Sequence, residues 1–178
     1  NTMKDFISCA NYLIEKKYTS MGKIIFLGGS AGGLLGGAVA NMAPELFLSM
    51  VLNVPYVNVL DTALNEDLPL SANEFKEIGR PKKNKEHFDY IKSYSPYENI
   101  SKKDYPSMFI TTSIFDSRVF YSEPVKYTAK LRDMKTDNNL LLLKCETAGH
   151  GGKTGRDNSI SELAEEFAFI LKSAGLKK

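Results

Sequence analysis

Ser30 lies in the run Gly28-Gly29-Ser30-Ala31-Gly32-Gly33, after the apolar stretch Ile24-Ile25-Phe26-Leu27 and before Leu34-Leu35-Gly36-Gly37-Ala38-Val39-Ala40. A strand, a sharp turn and a helix, in that order, are the setting in which the spacing G-x-S-x-G acquires chemical meaning. The turn holds the serine in a strained backbone conformation and lifts its hydroxyl away from the sheet, ready to attack a carbonyl carbon. Gly28 and Gly32, two residues to either side, are expected to remove side chains that would collide in so tight a bend. The helix that follows turns its positive end toward Ser30, and the amide of Ala31 is the candidate donor to a developing oxyanion.

A serine hydroxyl is a weak nucleophile at neutral pH and needs a base. The sequence has two histidines. His150 stands in Glu146-Thr147-Ala148-Gly149-His150-Gly151-Gly152, directly after an apolar strand, whereas His87 in Lys85-Glu86-His87-Phe88-Asp89 has no strand end beneath it and reads as a surface residue. Asp116, in Ile114-Phe115-Asp116-Ser117, also follows a strand. It would hold the imidazole in one tautomer and stabilise its positive form. Taken singly, Asp116 also fits a turn and His150 a loop tip. The chain order Ser30, Asp116, His150 is the order expected of an α/β-hydrolase.

The elements that must carry these residues alternate. Asn1 and Thr2 can cap a helix whose Phe6, Ile7, Ala10, Leu13 and Ile14 repeat at helical spacing. Strands are expected over Lys23–Leu27, Ser49–Val54, Met108–Ile114 and Leu140–Leu143. Helices are expected after Ser30, over Glu123–Lys135, and at the end, with Ile160, Leu163, Ala164, Phe167, Ile170 and Leu171 on one face. Between Pro55 and Tyr105 the pattern is irregular, with short helices and loops. Such alternation predicts an α/β fold with a mostly parallel sheet flanked by helices, in which ligands bind beyond the carboxyl ends of the strands.

Composition narrows the partners. The chain has 178 residues, 43% hydrophobic and 25% charged, with a formal charge of +2. That suits one domain with a real core and gives no reason to expect nucleic acid or an anionic membrane. The basic run Arg80-Pro81-Lys82-Lys83-Asn84-Lys85 reads as a solvated loop. No apolar run matches a membrane span and the first residues do not resemble a signal peptide. Cys9 and Cys145 read as small buried hydrophobes in a reducing compartment, and a cytoplasmic location is expected. No metal and no organic cofactor is called for by the residues present.

The opening Asn1-Thr2-Met3-Lys4-Asp5-Phe6-Ile7, the elbow Gly28–Gly33, Tyr94-Ser95-Pro96-Tyr97 and Gly149-His150-Gly151-Gly152 together resemble the prolyl oligopeptidase family of serine peptidases. Lys135-Thr136-Asp137-Asn138-Asn139-Leu140 and Ser122-Glu123-Pro124 resemble its oligopeptidase B branch. The resemblance implies an endopeptidase that hydrolyses short peptides after Arg or Lys through an acyl-enzyme. It aligns Glu74 in Asn73-Glu74-Phe75-Lys76-Glu77 with an acidic residue of the primary specificity pocket, and Lys76 with a position usually held by a second carboxylate. A cation there weakens attraction for a basic side chain. It aligns Arg118 with an arginine that anchors a substrate carbonyl. The resemblance also implies that residues 1–178 are the C-terminal part of a catalytic domain, whose earlier strands, second oxyanion donor and β-propeller are absent from this chain. Two other readings use the same residues: an esterase or acylaminoacyl-type hydrolase, and a catalytically silent piece that self-associates or pairs with the rest of its domain along an exposed sheet edge.

Overall fold

The computed structural model describes residues 1–68 and 71–176, the side chains of 71–74 excepted. Its centre is a four-stranded sheet in the order β1 (Ile24–Gly29), β2 (Phe47–Asn53), β3 (Ser107–Ser113) and β4 (Leu141–Glu146). Each strand pairs in parallel with the next. All four carboxyl ends therefore lie on one side, and the loops that leave them carry Ser30, Asp116 and His150. One line of register, Gly29–Asn53–Thr111–Lys144, crosses the sheet just below those loops.

Successive side chains on a strand point to opposite faces, so the sheet builds two cores. On one face Phe26, Met50, Leu52, Met108 and Ile110 pack with α1 (Thr2–Glu15), α2 (Ala31–Met42) and α6 (Ser122–Met134) through Ala10, Val39, Ala40, Tyr127 and Leu131. On the other, Val51 and Phe109 meet Phe169 and Ile170 of α7 (Arg156–Ser173), with the Phe109 and Phe169 rings 5.6 Å apart. A third cluster, Tyr56, Val59, Leu60, Ala63, Ile91 and Val119, sits under the connections beyond β2 and β3. It draws on α3 (Val59–Leu64) and α5 (Lys85–Tyr94), with α4 (Ser71–Ile78) between them in sequence. Asn84 caps α5 by accepting from the amides of Glu86 at 2.8 Å and His87 at 3.4 Å.

All four expected strands are present, with ends displaced by one to three residues. The largest displacement is at β4, which continues through Lys144, Cys145 and Glu146, because pairing with β3 reaches as far as Ser113. Two expectations are corrected. Cys9 and Cys145 are exposed: α1 buries only Ala10, and Cys145 lies on an edge strand. His87 is half-buried, and its Nδ1 accepts from the Arg80 amide at 2.9 Å, so its ring secures the turn into α5. On α7 the apolar stripe Ile160, Leu163, Phe167 is about half exposed, at 54%, 50% and 52%, and burial is confined to Phe169 and Ile170. Among the described residues no helix is long and apolar enough to cross a membrane.

Candidate active site

β1 ends at Gly29 and α2 begins at Ala31, so Ser30 alone makes the turn. Its φ is +53° with ψ −120°. A residue with a Cβ is rarely found there, and holding it costs on the order of 1–3 kcal/mol unless the surroundings over-determine it. They do. The Ser30 amide donates to the Asn53 carbonyl at 2.9 Å, and the Ser30 carbonyl accepts from Gly33, Leu34 and Tyr56 amides at 2.9, 3.2 and 3.0 Å. Directly after the neighbouring strand comes a second strained residue, Val54, with φ +41°. A β-branched side chain at positive φ is a genuine outlier, and it stands beside the elbow.

The glycines divide their work differently from the expectation. A Cβ on Gly28 would lie 2.8 Å from the Gly32 carbonyl oxygen, and one on Gly33 would lie 2.3 Å from Cβ of Pro55. A Cβ on Gly32 would meet nothing within 4 Å. Close approach of α2 to β1 and to the Pro55 loop thus requires Gly28 and Gly33, while Gly32 fronts open space. Ala31 is the first residue of α2, where amides have no acceptor within the helix.

Asp116 is 4% exposed. One of its oxygens accepts from the amides of Arg118 at 2.8 Å and Val119 at 2.9 Å. The other lies 2.7 Å from Nδ1 of His150. The loops are joined by backbone as well, with Ile114 donating to Glu146 and Phe115 to Ala148 at 2.9 and 3.1 Å. His150 occupies a tight turn closed by Gly152 N–H on the Gly149 carbonyl at 3.1 Å. Ser30 and His150 open into one cavity of about 320 Å³, which Asn53, Thr111, Glu162 and Glu166 also line. A serine, an imidazole and a buried carboxylate that touches the imidazole are the parts needed for general-base-assisted acyl transfer.

The other expected site residues are placed as follows. The Arg118 side chain is exposed, and its contact with Asp116 is through its backbone. Lys76 is exposed on α4. Glu74 is on the same helix, but its side chain lies outside the described residues. Among the described residues no group of three His, Cys, Asp or Glu is arranged to hold a metal ion.

Sequence reasoning missed the polar residues behind the elbow. Asn53 donates through Nδ2 to Glu166 at 2.7 Å and accepts at Oδ1 from the Thr111 hydroxyl at 2.9 Å. Glu162 accepts from the Lys153 amide at 3.2 Å. Glu146 pairs with Lys144 and Lys153, both at 2.5 Å. The signal available was position: Asn53 is the polar last residue of a largely apolar strand, at the edge where ligands bind.

The family model described as the prolyl oligopeptidase family matches residues 1–177. The chain belongs to the prolyl oligopeptidase family. Among family relatives, "Protease 2" of Moraxella lacunata is 53% identical over 99% of this chain and 26% of its own length. "Dipeptidyl aminopeptidase BI" of Pseudoxanthomonas mexicana is 46% identical over 99% of this chain and 24% of its own. Oligopeptidase B from Trypanosoma brucei with covalently bound antipain superposes with a TM-score of 0.96 at 41% identity, covering all of this chain and 25% of that one. The likeness to the oligopeptidase B branch and the α/β-hydrolase architecture are both borne out. The chain spans about a quarter of the length of the family members it matches.

Proposed function

We propose that this chain carries the reacting groups of a serine endopeptidase that hydrolyses short peptides after Arg or Lys, within a longer chain whose other parts complete the domain. The observation that carries the reading is the buried Asp116 carboxylate 2.7 Å from Nδ1 of His150, a histidine that shares its cavity with the strained Ser30. Asp116 fixes the tautomer, leaving Nε2 of His150 as the base. Nε2 takes the Ser30 proton as Oγ attacks the scissile carbonyl, and the Ala31 amide donates to the oxyanion. The same proton passes to the leaving amine as the C–N bond breaks. Water, deprotonated by His150, then releases the peptide acid and restores Ser30.

The preference for basic residues rests on family likeness and on Glu74, with Arg118 as the anchor for a substrate carbonyl. Lys76 argues for a single basic residue over a pair. Serine-directed chemistry and specificity are tested together in the full-length protein. Ser30→Ala is expected to abolish turnover of fluorogenic peptides ending in Arg, and Glu74→Gln to raise KM for them. Unchanged turnover with Ser30→Ala would overturn the first claim. A Glu74→Gln variant that treats Arg and neutral substrates as the wild type does would overturn the second.

A further inference from the structure

Helix α7 reaches the sheet edge through two carboxylates one helical turn apart. Glu162 accepts from the Lys153 amide at 3.2 Å, and a Cβ on Gly152 would lie 2.9 Å from its other oxygen. It is thus packed against the turn that bears His150. Glu166 accepts from Asn53 Nδ2 at 2.7 Å. The orientation of the Asn53 amide is set by Glu166, because a carboxylate only accepts and so takes Nδ2, leaving Oδ1 to accept from the Thr111 hydroxyl. The Asn53 carbonyl in turn holds the Ser30 amide at 2.9 Å. Residues four apart on a helix are neighbours, about 5–6 Å between Cβ atoms. One rigid face therefore touches the supports of both Ser30 and His150.

We propose that Glu162 and Glu166 are positioning residues that set the separation of His150 and Ser30, acting through the Gly152-Lys153 backbone and through Asn53. Neither carboxylate needs to meet substrate. The strained φ values of Ser30 and Val54 flank Asn53, and such conformations persist only where neighbours leave no alternative. Anchoring Asn53 at both ends of its amide supplies that constraint. The hydrophobic contact of Phe169 and Ile170 with Val51 and Phe109, one turn further along, keeps α7 in register while the carboxylates fix the loops.

This inference rests on Ser30 and His150 acting together as proposed above, and its test keeps the two apart. In the full-length protein, Glu162→Ala, Glu166→Ala and their Gln counterparts are compared for kcat, KM, thermal midpoint and labelling rate by a fluorophosphonate probe. Gln keeps an acceptor oxygen at each site, whereas Ala removes it. Small misplacements of reacting groups cost on the order of a hundredfold in rate. The Ala variants are therefore expected to lose about ten- to a hundredfold in kcat and in labelling, with KM within about twofold. The Gln variants should recover most of that loss. Ala variants as fast as wild type, Gln variants as slow as Ala, or Ala variants that lose the folded transition would each overturn the inference. Probe labelling that survives Ser30→Ala in the otherwise wild-type protein would instead overturn the assignment of Ser30.

Discussion

The two oxygens of Asp116 face different tasks: one lies 2.7 Å from His150 Nδ1, and the other is held by the amides of Arg118 and Val119. The carboxylate cannot turn without giving up two backbone bonds in a buried site, so the imidazole is given one acceptor in one place. Asp116→Asn keeps the shape but presents an amide to Nδ1 in any arrangement that leaves its carbonyl on the backbone. His150 is then forced into the wrong tautomer. A fall of about four orders of magnitude in kcat is expected, with KM little changed. Steady-state kinetics of the full-length variant check it, and a loss below tenfold would show that His150 does not depend on this contact.

The elbow glycines should differ in tolerance. Gly33→Ala forces a Cβ to within 2.3 Å of Pro55, and overpacking of this kind costs about 1–3 kcal/mol or more. Gly32→Ala adds a methyl group where nothing lies within 4 Å, and gains a better helix former. Denaturant midpoints should drop for the first and hold or rise for the second. Equal losses would mean that the spacing between α2 and the Pro55 loop is not what Gly33 provides.

Core positions on the sheet give a third expectation. Leu52 and Ile110 are fully buried on adjacent strands, in register with each other. Truncating either to Ala leaves a cavity that a close-packed sheet cannot collapse, at about 2–5 kcal/mol. Urea titration of each variant measures this directly.

The ion cluster beside the His150 turn predicts a pH dependence. Hydrogen bonds from Lys144 and Lys153 hold the Glu146 carboxyl below the usual carboxylate range. A carboxylate depressed in the folded state adds stability above its ordinary pKa, and that stability is lost as pH falls through the lowered value. Burial alone would lower Lys144, but its bonds to Glu146 and Glu165 outweigh burial and raise it. Its share is present below the ordinary lysine pKa and disappears only as pH climbs through the raised value. The stability gap between wild type and Glu146→Gln should be level from about pH 6 to 9 and close below about pH 4. A gap that persists unchanged into acid would show that the bonds to Glu146 do not depend on its charge.

Much of this arrangement was legible in the residues. Strand ends mark themselves by the change from apolar to polar, so the residues alone set Ser30, Asp116 and His150 on one sheet edge, after β1, β3 and β4. Buried runs such as Met50-Val51-Leu52 carry no sign of which face each side chain takes, because both faces of this sheet are covered. The burial expected of Cys9 and Cys145 fails for a related reason: a small apolar residue is compatible with either side of an amphipathic element. Asn53 and Glu166 are 113 positions apart, and a hydrogen bond over that distance follows from tertiary packing that no local pattern records. The stripe Ile160, Leu163, Phe167 has the spacing of a buried face and is half exposed, since periodicity shows that a helix has an apolar side without showing what covers it.

The strands stand side by side in the order in which they are synthesised. β2, β3 and β4 each leave the ribosome with a strand they pair with already made, so these four strands can be assembled in sequence without waiting for a later one. Ser30 follows β1 and His150 follows β4. At about 5–20 residues per second, the roughly 120 residues between them take on the order of ten seconds to make. Throughout that interval Ser30 has no His150 beside it, so its hydroxyl is left unactivated until β4 and the loop after it have been made.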